Sequence, residues 1–294
     1  MELIRYRPPA PLDSYVKWLW WSRRDIPQLH CEHMLPSASA QLIFALHDEP
    51  NAWRKNLSEA ASGVWTHGVV HGPQYSYFVS GPKPRGAVAG VSFHPGAAGA
   101  LLGVPITELT DLHVSIDALW GTRGRSIHQR LVDAYEPKDV FKIIEQELMS
   151  RLKRPLLIHP AIAHALVDPV QGWGFTRIST VQRQTGYSLK HFIALFREAV
   201  GLTPKHYYSV QRFAGVVHAL AGDHRANLAE LAASLGYSDQ SHLAREFREF
   251  AGVTPTQYQP RAPDSGLHHV VTQRSSRSRS GKNSSIRAPG NGRP

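Results

Sequence analysis

"GYSLKHFIALFREAVGLTP" (186–204) and "GYSDQSHLAREFREFAGVTP" (236–255) are nearly the same phrase, written twice in one chain. Two copies fall short of the three or more repeats that a solenoid needs, so they read as one discrete unit used twice. The apolar residues set the type of unit. In the second copy Leu243, Phe247 and Phe250 recur at helical spacing, Gly252 follows and Pro255 forbids continuation.

The flank upstream of the second copy supplies another helix. Asn227 is placed to cap it, with Glu230 three residues on as an approximate capping box. Leu228, Leu231, Ala232 and Leu235 share a face, and Gly236 supplies the left-handed stop. Ser238 or Asp239 caps the next helix. Two helices joined by a tight glycine turn, with small alanines at their contact, make a helix-turn-helix. A helix about 10 Å across fits the major groove, where base edges differ in their donors and acceptors. The outward residues near the start of the second helix are the candidate readers: Gln240, Ser241, His242 and Arg245.

The first copy begins at Ile178, with Ser179 and Gln182 as its capping box and Phe192 and Phe196 as its inward residues. The offset between copies is 50 at Gly-Tyr-Ser and 51 from His191/His242 onward, so the second turn is one residue longer. The outward set is Lys190, His191, Ile193 and Ala194. This copy is the poorer one. Gln182 stands where the second copy has Ala232, so it must be shifted to the surface or hydrogen-bonded. Ala194 stands where the second copy has Arg245. Arg197 and Arg248 are candidate phosphate contacts or a solvated face.

Between the copies, "PKHYYSVQRFAGVVHAL" (204–220) carries Tyr208, Phe213, Val216, Val217 and Leu220 at helical spacing. A rigid connector fixes the separation of the reading helices. At about one duplex turn, roughly 34 Å, both would enter successive major grooves on one side of double-stranded DNA.

These stretches, residues 177–260, resemble the C-terminal DNA-binding domain of the AraC/XylS family of bacterial transcription regulators. The residues that carry the likeness are "GYSLKHF…FREAVGLTPKHYY" and "LAELAASLGYSDQSHLAREFREFAGVTPTQY". "YRPPAPLDSYVKWLWW", "LPSASAQLIF", "HGPQYSYF" and "VSFHPGAAGALLGVPITELTDLHVSIDALWG" are similar to an uncharacterised sensor-like domain of one AraC subgroup. The resemblance implies a regulator reading a bipartite site. An effector at the N-terminal domain, RNA polymerase and a second copy forming a homodimer are its further partners.

The rest of the chain reads as α+β. Short β-branched and aromatic runs at 39–46, 75–79 and 87–93 predict strands. Helices are expected at 97–103, 137–152 (Val140, Ile143, Ile144 and Leu148 inward) and 160–168. The expected organisation is a β-rich N-terminal domain with trailing helices (1–168), a linker (169–176), an all-α domain of two helix-turn-helix units joined by a connector helix (177–260), and a disordered basic tail (261–294).

The formal net charge is +10. Residues 1–176 carry 17 Lys/Arg against 16 Asp/Glu, 177–260 carry 9 against 6, and 261–294 carry 7 against 1. Most of the excess is thus in the tail, and charge alone does not identify a specific reader. A single cysteine, Cys31, permits no intrachain disulfide. The start has no signal-peptide core and no apolar run spans a bilayer, so a cytoplasmic protein with no membrane partner is expected.

The enzyme-like cluster is "HCEH" (30–33). His30, Cys31 and His33, joined by His47, His67 or His94, are the candidate ligands for the alternative, a metal-dependent β-barrel enzyme fused to a helical DNA-binding module. Adjacent strand residues face opposite sides, which separates His30 from Cys31. There is no P-loop, dinucleotide fingerprint, nucleophile elbow or paired-carboxylate signature. The favoured reading therefore has no catalytic residue, metal or cofactor. Trp18, Trp20 and Trp21 read as packing residues.

Overall fold

A computed structural model of the chain describes residues 2–153, 158–166, 178–260 and 268–270. The expected linker at 169–176 lies outside them.

Two antiparallel sheets form the N-terminal part. One has six strands in the order β1 (Glu2–Tyr6), β2 (Val16–Arg24), β9 (Gly86–Phe93), β4 (Gln41–Leu46), β7 (Gly68–His71), β10 (His113–Ser115). The other runs β11 (His268–Val270), β3 (Glu32–Met34), β8 (Phe78–Ser80), β5 (Asn51–Arg54), β6 (Gly63–Trp65). Their inner faces meet through rings: Trp53 lies 4.1 Å from His113 and Phe78 4.9 Å from His71, centroid to centroid. The expected strand at 75–79 is shorter, because Tyr75 and Tyr77 turn outward to other partners. Gly90 is required on β9, since a Cβ there would sit 2.3 Å from the Trp20 ring.

Helices cover the outer face of the six-stranded sheet: α1 (Ala98–Leu102), α2 (Ile116–Trp120), α3 (Thr122–Val132) and α4 (Pro137–Arg151). Leu42, Phe44, Val91 and Leu19 from the sheet bury with Ile127, Leu131, Val140, Ile144 and Leu148 from α3 and α4. Ile143 packs at the margin of this core. Glu147 of α4 is buried, and burial alone would raise its pKa. Hydrogen bonds from Arg123 (2.7 Å) and Arg151 (2.8 Å) outweigh that and hold it below the usual carboxylate range.

A second core holds the helices of the repeat: α6 (Ile178–Thr185), α7 (Leu189–Val200), α8 (Pro204–Gly222), α9 (Leu228–Ser234) and α10 (Gln240–Ala251). Phe192, Phe196, Phe213, Leu243 and Phe247 are fully buried there. Helix α5 (Pro160–Leu166), expected with the N-terminal domain, buries Ile162 and Ala165 in this second core. Of the expected disordered tail (261–294), all but residues 268–270 lies outside the described residues. Residues 268–270 form β11 and pair antiparallel with β3, His269 opposite His33. They complete an edge whose backbone groups would otherwise lack strand partners.

Candidate nucleic-acid interface

The second unit is built as its residues dictate. The Asn227 side chain accepts from the Ala229 amide (3.0 Å) and the Glu230 amide (3.4 Å), while its own amide donates to Glu230 Oε1 (2.9 Å). Gly236 makes the turn at φ 72°. Of the two candidate caps, Asp239 starts α10: its Oδ1 accepts from the His242 amide at 2.7 Å, and that bond depresses the Asp239 pKa. In the first unit Ser188 does the same work, accepting from the His191 amide at 3.3 Å. Ser179 lies inside α6 rather than at its cap. Gln182 is hydrogen-bonded, its amide donating to the Tyr187 carbonyl. A polar contact therefore stands in the first unit where Ala232 is buried in the second.

The reader candidates divide by exposure. Gln240, Ser241 and Arg245 are exposed on α10, above the fully buried Leu243 and Phe247. His242 is half-buried, its ring edge-on to Tyr237. The Ser238 amide can only donate, so its 3.4 Å contact makes His242 Nδ1 an acceptor and leaves the proton on Nε2. On α7, Lys190, His191 and Ala194 are exposed and Ile193 is half-buried. The His191 ring leans on Tyr187 at 4.8 Å. Arg197 and Arg248 are exposed near the far ends of the two helices.

Contacts that the sequence reading missed hold this arrangement. Arg212 of α8 grips Glu246 of α10 with two bonds, Nη2 to Oε2 at 2.7 Å and Nε to Oε1 at 3.2 Å, and lies over the Tyr237 ring. Tyr208 donates to the Ala165 carbonyl at 2.8 Å, and its burial pushes its pKa up to about 12. The C-termini of α7 and α10 both meet the β-rich part. Thr110 donates to the Gly201 carbonyl at 2.8 Å. His33 Nδ1 donates to the Ala251 carbonyl at 2.8 Å, and its ring stacks on Tyr77, which covers Gly252. Tyr75 stacks on His206 at the start of α8.

The "HCEH" residues are thus placed elsewhere. His33 is an inter-domain contact, and Cys31 lies 3.9 Å from Arg54 Nη2. Among the described residues, no group of three or more His, Cys, Asp or Glu is arranged to hold a metal ion.

A family model described as a helix-turn-helix domain matches residues 181–261. The C-terminal part of this chain is an AraC-type helix-turn-helix domain. A domain of unknown function, DUF6597, matches residues 4–115. A probable transcriptional regulator, LumQ of Photobacterium leiognathi, is 34% identical over 23% of this chain and 27% of its own length. The virulence regulon transcriptional activator VirF of Yersinia enterocolitica is 30% identical over 30% of this chain and 31% of its own length. The chain therefore matches under a third of the length of these relatives. A solved structure of ToxT from Vibrio cholerae aligns with 81% of this chain and 95% of its own, at 11% identity and a TM-score of 0.45. Among the described residues, no helix is long and apolar enough to cross a membrane.

Proposed function

We propose that the whole chain is a sequence-specific transcription regulator, cytoplasmic and without enzymatic activity, that reads a bipartite site on double-stranded DNA. One observation carries this reading. In a domain of AraC type, α10 exposes Gln240, Ser241 and Arg245 at its start, directly above a fully buried apolar face. Arg binds guanine bidentately and Gln binds adenine, so this helix end carries base-reading chemistry. The weaker set on α7, with Lys190, His191, Ile193 and Ala194, reads the other half of the site. His242 reads through Nε2, and Arg197 and Arg248 contact phosphates.

The β-rich part acts on the readers through their C-terminal caps, Thr110 at Gly201 and His33 at Ala251. A small-molecule effector bound there shifts the relation between α7 and α10. RNA polymerase and a second copy of the chain are its further partners.

Selection of bound DNA from a random pool tests the reading. Two short conserved blocks, centred about 10–10.5 base pairs apart, are expected. Recovery of sequences with no common block would refute it.

A further inference from the structure

The helix-covered face of the six-stranded sheet is laid down in cross-strand rows. Leu19, Val91, Leu42 and Val70 make one row, and Trp21, Ala89, Phe44 and Gly68 make the next. Every member of both rows is buried. The row after them breaks the pattern: Arg23, Ala87 and Leu46. A guanidinium stands at an apolar position and a methyl group leaves space beside it. Helix α3 ends above this row at Val132, and Tyr135 in the following turn is 99% exposed. The result is a surface cavity of about 490 Å³, half open to solvent.

Its lining separates into two chemistries. Trp21, Leu46 and Ala87 provide apolar wall and floor, with Tyr135 at the rim. Arg23 and Arg85 bring cationic side chains to the lining against one carboxylate, Asp25; Arg24, the next residue along β2, faces the other side of the sheet. Asp25 sits 3.2 Å from Arg23, and Glu2 stands opposite Arg23 across the strand pair. The Arg23–Asp25 pair is exposed on both sides, so water screens it and an incoming anion can exchange for it. The volume is in the range of small-molecule sites, which combine apolar walls with a few placed polar groups.

We propose that this cavity binds a small organic anion. A carboxylate or phosphate group meets Arg85 and Arg23, whose planar donor forks match either group. An aromatic or other apolar body lies against Trp21 and Leu46 beneath Tyr135. The proposal deepens, and rests on, the reading of the N-terminal domain as an effector-binding domain. The ligand bridges β2 and β9 to the end of α3.

Calorimetry on the full chain with three probes tests it: 1-naphthoate, 1-naphthyl phosphate and the neutral 1-naphthalenemethanol. One anion is expected to bind with 1:1 stoichiometry, at least about tenfold tighter than the alcohol. Which anion binds separates carboxylate from phosphate ligands. Ala87→Leu, which fills the floor, should abolish binding. The Arg23→Gln/Arg85→Gln double variant should weaken it about tenfold or more, and serves alone if Ala87→Leu does not fold. Equal binding of the alcohol, no binding of either anion, or full binding by the double variant would overturn the proposal. The effector reading has its own readout. If a dialysable cell extract changes operator affinity equally in wild-type and double-variant protein, an effector binds at another place and only this cavity assignment falls.

Discussion

At the scale of single residues, Arg245 of the second unit and Arg212 of the connector helix α8 have opposite fates. Arg245 is exposed and free to meet a base edge, whereas Arg212 is spent internally on Glu246. Replacing Arg245 by Ala is expected to cost about 1–3 kcal/mol of operator affinity and to relax preference at one base pair. Affinities for operator variants, measured at fixed salt, check this. A uniform loss over all sequences, with a shallower salt dependence, would instead make Arg245 a phosphate contact. Arg212→Met leaves Glu246, only 12% exposed at its side chain, without its bidentate partner. Its cost should fall near 3 kcal/mol in urea unfolding, at the low end for a broken buried pair because neither side chain is fully buried. A loss below about 0.5 kcal/mol would show that solvent replaces Arg212 without difficulty.

At the scale of elements, the repeat is symmetric in its caps and asymmetric in its turns. Helices α7 and α10 both end at a left-handed glycine, Gly201 at φ 87° and Gly252 at φ 72°. Each glycine also lies under the β-rich part, so these two helix stops serve a second purpose as docking points. Gly186 has a similar φ of 74°, yet a Cβ there meets nothing within 4 Å. Gly186→Ala should therefore cost only the backbone strain, about 1–2 kcal/mol. Gly252→Ala should cost distinctly more, because its Cβ would lie 2.5 Å from the Tyr77 ring. A Tyr77→Ala background should bring the two penalties level, as a double-mutant cycle by urea unfolding would reveal. If the gap persists without Tyr77, the ring is not what confines Gly252.

At the scale of the whole molecule, the β-rich part holds many half-buried or buried imidazoles. The pKa values of His33, His47, His94, His113 and His128 are all depressed, chiefly because burial disfavours the charged ring. His113 is lowered from 6.5 to about 4. It stands between His71, 2.5 Å from its Nδ1, and the Gln74 amide, which donates to its Nε2 at 3.2 Å. A second ring proton would point at that donor. The unfolded chain therefore binds more protons than the folded one between pH 6.5 and 4. Stability should be complete above about pH 6.5 and fall as the pH drops through that window. His113 alone accounts for up to about 3 kcal/mol of the loss. The wild-type curve minus that of His113→Gln isolates this part, and a flat difference between pH 7 and 4 would remove His113 as its source.

The repeated phrase determined a good deal unaided. Apolar spacing, cap residues and glycine stops are local properties of the chain, and the helices α7, α8, α9 and α10 follow them closely. The same information marked the candidate reader positions, because a residue that cannot face the core must face outward. What the sequence left open was decided between segments distant along the chain. Short strands such as β3 and β5 carry too few residues for a period to register, and only their partners define them. Nothing local marks His33 for the Ala251 carbonyl, Arg212 for Glu246 or residues 268–270 for the edge of β3. Helix α5 likewise joined the helical core because its apolar face found Phe192 and its neighbours. Local spacing fixes which face of an element is buried; only packing in three dimensions chooses what covers it.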